Sequence, residues 1–167
     1  TIVPMHKTTT LSTPTTTLKH LIDRVGIFPE AELQSLDWLD GSTAWAIDIQ
    51  GSILRAADQD ENWIKKFTPP TELDSTRTSA HFFLDADNAW VLYKDALGDP
   101  LQPYALFYTH NAGQEWQRGG EFPNDFEPFS PASIYFINPQ QGWFLGQIYP
   151  GMHQVYALLY ATQDGGA

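Results

Sequence analysis

The stretch Thr109-His-Asn-Ala-Gly-Gln-Glu-Trp116 gathers a hydroxyl, an imidazole, an amide, a carboxylate and an indole in one short segment. An amide or carboxylate oxygen placed just after a hydroxyl accepts hydrogen bonds from the N–H groups that follow. A glycine beside it takes positive φ without a Cβ clash, and an indole packs against the hairpin base. The chemistry is that of a stapled turn. Thr162-Gln-Asp-Gly-Gly-Ala167 repeats the pattern, and Ala56-Ala-Asp-Gln-Asp-Glu-Asn-Trp63 is a worn copy in which Asp58 and Trp63 keep their places. The remaining reactive residues assemble no site at sequence level. His6, His20, His81, His110 and His153 have no spacing suited to zinc. Asp85-Ala-Asp-Asn88 and Asp58-Gln-Asp-Glu61 lack the distal Glu of a calcium loop. Gly-x-Ser-x-Gly, Walker and Rossmann patterns are absent. No catalytic residue, metal or cofactor is expected.

The elements that must position these turns are visible as a repeat. A shift of 53 residues lays 80–90 over 133–143 without a gap, matching Phe83 with Phe136, Asp85 with Asn138 and Trp90 with Trp143. The same shift carries Thr109, Asn111 and Gly113 onto Thr162, Asp164 and Gly166. A shift of 45 brings Trp38, Ala44 and Trp45 onto Phe83, Ala89 and Trp90. The shorter period comes from one connection that lacks eight residues, where later copies carry 94–102 and 147–155. Loops absorb such changes. Within each copy the apolar period is two, and Gln50-Gly51 marks a tight hairpin. Strands are predicted near 80–85, 89–94, 103–109 and 115–122, then 133–138, 142–148 and 154–161. About four strands per copy, at this period, is the size of a propeller blade.

With the Phe-x-Asp/Asn-x-x-x-Ala/Gly-Trp segment before each turn, the chain resembles the Asp-box, or BNR repeat, β-propellers over residues 35–167. Asn111 and Glu115 stand where the pattern Ser/Thr-x-Asp-x-Gly-x-Thr-Trp has Asp and Thr. Among these it is most similar to the photosystem II assembly and stability factor type, whose relatives occur among exported bacterial proteins. The resemblance implies an all-β fold: a partial propeller of about three four-stranded antiparallel blades, near 35–67, 80–122 and 133–167, the last incomplete. It also implies that Asp58, Trp63, Thr109, Asn111, Gly113, Trp116, Thr162, Asp164 and Gly166 are structural residues, since in this family the box lies away from the ligand site. Fold does not give function, because the same box occurs in sialidases and in non-enzymatic assembly factors. A sialidase needs an arginine triad. Arg24, Arg55, Arg77 and Arg118 lie in no matching segment, Arg24-Val-Gly-Ile-Phe-Pro29 being a loose echo.

Composition narrows the partners. The formal charge of −11 repels nucleic acid and an anionic membrane face. No apolar run reaches the roughly 18 residues of a membrane span, and without cysteine no disulfide or thiolate site arises. Residues 1–20, with eight Thr and two Pro, suit a disordered tether ahead of a 21–167 propeller fragment. Such Thr/Pro stalks follow export signals, and the start at Thr1 reads as processed or excised. An exported location, in the periplasm, at the cell surface or outside the cell, is therefore expected. The function expected is a non-enzymatic binding or assembly scaffold with a protein or carbohydrate partner. Its rival is a fragment of a sialidase-like or other glycoside hydrolase with catalytic residues in further blades. If a binding surface is to be named, it lies in the loops inserted at the same point of successive repeats, with Tyr93, Tyr104, Tyr149 and His153 as candidates.

Overall fold

A computed structural model describes residues 32–39, 42–56, 63–95, 104–122, 129–151 and 154–167, so the expected 1–20 tether lies outside the described residues. The chain divides into Thr1–Glu30 and Ala31–Ala167, and the strands belong to the second unit. Among the described residues every regular element is a strand. The first sheet is formed by β1 (Leu33–Trp38), β2 (Ala44–Asp48), β3 (Ile53–Ala56) and β4 (Ile64–Phe67). β5 (Leu73–Phe83), β6 (Ala89–Asp95), β7 (Tyr104–Thr109) and β8 (Gln117–Arg118) form the second. The third contains β9 (Phe129–Phe136), β10 (Gly142–Gly151) and β11 (Gln154–Thr162). Each sheet is an antiparallel meander in chain order, the topology short connections favour.

The period of two decides which sheet each side chain meets. In β6, Ala89, Val91 and Tyr93 join a core with Trp45, Ile47 and Ile53 of the first sheet. Trp90 and Leu92 point the other way, into a core with Ile134, Phe136 and Phe144 of the third. β7 divides likewise, with Ala105 and Phe107 on one side and Leu106 and Tyr108 on the other. The second sheet is thus buried on both faces. The expected apolar period of two therefore does not hold in β6 and β7, which run nearly continuously apolar because both of their faces are covered.

Strand limits depart from expectation where the ladder is irregular. β5 starts at Leu73 rather than near 80, because its register slips between Asp74 and Thr78 and again between Thr78 and Ala80, and bulged pairing hides the period. β8 is two residues long and gives way to Gly119 and Gly120. β10 continues to Gly151, which pairs with Gln154. Much of the inserted segment 147–155, expected as a loop, therefore lies in a longer hairpin.

Candidate functional site

The repeated turns have one geometry. Thr109 Oγ1 donates to Asn111 Oδ1 at 2.9 Å and accepts from Gly113 N at 3.1 Å, while Glu115 N donates to Asn111 Oδ1 at 3.0 Å. Thr162 Oγ1 donates to Asp164 Oδ1 at 2.5 Å, and Gly166 N donates to Thr162 Oγ1 at 3.0 Å and to Asp164 Oδ1 at 3.1 Å. The Thr162 hydroxyl, followed by the Gly166 amide, holds the Asp164 carboxyl below its usual range although the group is fully exposed. Each turn is tied to the turn between the first two strands of its own sheet. Ala112 N donates to Asp87 O at 3.1 Å and Gly165 N to Gln140 O at 2.8 Å, the same bond 53 residues on. Those first turns are capped alike: Asp85 Oδ1 accepts from Asp87 N and Asn88 N, and Asn138 Oδ1 from Gln140 N and Gln141 N. Asn88 Nδ2 bonds the Asp85 carboxylate, so its Oδ1 faces His110 Nδ1 at 2.7 Å. Burial lowers the His110 pKa, with Asp85 opposing, and an uncharged ring carrying its proton on Nδ1 fits that partner.

These oxygens are thus engaged by the turns' own hydrogen bonds, and the bonds serve shape. At the junctions, Trp45 stacks on Phe83 at 5.4 Å and 7°, and Trp90 on Phe136 at 3.7 Å and 9°. Trp116 seats its indole edge-on to Trp45 at 6.4 Å and against Phe67 at 5.0 Å. Trp63 is half-buried just before β4, and Asp58 lies outside the described residues.

Of the inserted segments, residues 96–103 and 152–153 lie outside the described residues, and the described candidates sit in different surroundings. Tyr93 is fully buried and its hydroxyl donates to Gly51 O at 2.6 Å, so it joins two sheets and is not open to a partner. Burial, and secondarily the Asp48 carboxylate, pushes its pKa far up. Tyr104 packs on Phe129 at 5.4 Å, half-buried, with its pKa raised by burial. Tyr149 is exposed and donates to Gln147 Oε1 at 2.7 Å. His153 lies outside the described residues.

Sequence reasoning missed the surface that β1, β5 and β9 create together. Gln34, Ser35, Thr78, Ser79, His81 and Ser133 line an open cleft of about 350 Å³. Thr78 Oγ1 donates to Gln34 Oε1 at 3.5 Å, and His81 Nε2 lies 3.3 Å from Asp37 Oδ2. The one signal in the sequence was the polar character of these first strands, which bulges had put out of register. Among the described residues no cluster of three His, Cys, Asp or Glu could hold a metal, and no helix is long and apolar enough to cross a membrane.

No family model and no curated protein matches the chain. Solved structures do match. YCF48 bound to a D1 peptide is 18% identical with a TM-score of 0.53, over 81% of this chain and 37% of that one. YCF48 from Cyanidioschyzon merolae is 22% identical with a TM-score of 0.52, over 82% and 35%. The chain therefore spans little more than a third of either. At such identity the likeness speaks for fold alone, and with the sheet order above it makes the three sheets blades of a β-propeller, the third with three strands among the described residues.

Proposed function

We propose that the chain is part of an exported Asp-box propeller of the photosystem II assembly and stability factor-like type, acting as a non-enzymatic scaffold that binds a peptide or protein partner. The observation that carries the reading is the cleft along β1, β5 and β9. Its hydroxyls, amide and imidazole are donors and acceptors suited to the main chain of an extended peptide, and the Asp37 carboxylate beside it is engaged by His81. That YCF48, a neighbour in fold, was solved with a D1 peptide bound supports a peptide as the ligand class. The Thr/Pro-rich residues 1–20 support export.

The test is a titration of the chain with labelled unstructured peptides, read by fluorescence anisotropy. Saturable binding is expected, weakened roughly tenfold by Ser79→Arg, which removes one or two hydrogen bonds and blocks the cleft. Hydrolysis of aryl glycosides that disappears in Asp37→Asn would overturn the scaffold reading in favour of the hydrolase.

A further inference from the structure

The first strand of each sheet leaves its ladder at one repeated place. In β1, Leu33 pairs with Asp48 and Ser35 with Ile47, so Gln34 is an extra residue. β5 pairs Thr78 with Tyr93 and Ala80 with Leu92, which leaves Ser79 over, and β9 pairs Pro131 with Gly146 and Ser133 with Leu145, which leaves Ala132 over. Gln34, Ser79 and Ala132 stand apart by the same offsets of 45 and 53 residues that relate Trp45, Trp90 and Trp143. The bulge is thus part of the repeat. A regular strand turns successive side chains to opposite faces, whereas a bulge re-aims them. Consecutive residues at 34–35, 78–81 and 132–133 accordingly line one cleft. On the first of these bulges Ser35 buries its hydroxyl oxygen with no hydrogen-bond partner, a cost that this backbone shape sustains. Uncompensated local costs of this kind cluster at functional sites.

Where an extended peptide is bound, main-chain hydrogen bonds give affinity and side-chain groups give selectivity. We propose that the bulged residues Gln34, Ser79 and Ala132 set the selectivity of the cleft, and that they favour an asparagine or glutamine side chain on the bound peptide. The inference rests on the peptide-binding reading and names the side chain the site prefers. Gln34 is exposed, and its Oε1 accepts from Thr78 at 3.5 Å, the long limit of such a bond, which leaves its amide hydrogens and a second lone pair to a ligand. Ser79 adds a hydroxyl that donates and accepts, and Ala132 a methyl that demands no partner. A second carboxamide answers Gln34 in both directions, N–H to oxygen and oxygen to N–H. Other side chains fit less well. Among the described residues His81 is the titratable group of the lining, and it faces Asp37. An acidic side chain would enter against the net charge of −11, and a basic one would find the nearby carboxylate already engaged. An aliphatic one would leave the amide and hydroxyls unpaired.

The probes are end-capped peptides Ala-Ala-X-Ala-Ala that carry one fluorescent label and differ only in X, which is Gln, Met, Glu or Lys. Each is titrated into the full chain and read by anisotropy. The Gln peptide is expected to bind roughly tenfold more tightly than the Met peptide, which has the same length without the amide, and more tightly than the charged ones. Gln34→Leu should bring the Gln peptide down to the affinity of the Met peptide. If that variant does not fold, the comparison of peptides on the unaltered chain still decides. Equal affinity of the Gln and Met peptides overturns the proposal, and if Ser79→Arg weakens both alike the scaffold reading stands. Tightest binding by the Glu or Lys peptide overturns it, as does a preference for Gln that survives Gln34→Leu. Saturable binding by none of the series also overturns it, and the scaffold reading falls as well only if longer unstructured peptides fail to bind.

Discussion

Ala112 is the described non-glycine residue with positive φ, at 60°, and it occupies the place that Gly165 takes at 81° one repeat later. An L-residue in the left-handed region costs roughly 1–2 kcal/mol, against about 0.5–1 kcal/mol of extra unfolded-state freedom for glycine. Ala112→Gly should therefore stabilise the chain by up to about 1 kcal/mol, measured by urea unfolding. An unchanged or lower midpoint would mean the turn holds alanine without strain. The neighbouring Gly113, with φ of 73°, has no such latitude, because an added Cβ would lie 2.8 Å from Lys66 Cβ. These two adjacent residues show that the turn is shaped by backbone geometry as much as by the Thr and Asn side chains that staple it.

At the level of elements, the closeness of neighbouring sheets is set by the residue that opens the second strand. Ala44 and Ala89 open β2 and β6, and Gly142 opens β10. An added Cβ on Gly142 would collide with the Phe136 ring. Its absence lets that ring lie on the strand and stack on Trp90 at 3.7 Å, where the Trp45–Phe83 pair sits at 5.4 Å. Gly142→Ala is expected to push Phe136 outward and destabilise the chain by about 1–3 kcal/mol, the range for overpacking. Thermal unfolding together with near-ultraviolet circular dichroism of the Trp90–Phe136 pair checks this. A retained aromatic signal with unaltered melting would show that the ring has another place to go.

Across the whole molecule, stability depends on the junctions, each of which joins one sheet to the next as in other repeat architectures. Tyr93 belongs to one sheet and bonds Gly51 of another, in a buried environment that keeps the phenol neutral. The unfolded chain ionises this group at about pH 10, whereas the folded chain resists ionisation well beyond it. The contribution is therefore complete below pH 10 and is lost progressively as pH rises above it. Tyr93→Phe should flatten that alkaline decline and remove about 0.5–1.5 kcal/mol at neutral pH for the hydrogen bond. Unfolding midpoints from pH 8 to 11 test both, and an unaltered alkaline slope would assign the decline to other groups.

The sequence by itself determined the all-β class, the repeat and the tight turns, because apolar strand segments and turn chemistry are local properties of the chain. The hairpin at Gln50-Gly51 was legible for that reason, though the carboxylate of Asp48 that caps it, bonding Gln50 N and Ser52 N, was not. Only the tertiary structure decided that Tyr93 is sealed inside, that β10 runs on to Gly151, and that Gln34, Thr78 and Ser133 come together on one cleft. Those facts depend on bulges that shift register and on sheets separated by tens of residues meeting face to face. A side chain's neighbours across a junction are set by the packing of whole sheets, and one strand's pattern says only which way the side chain points.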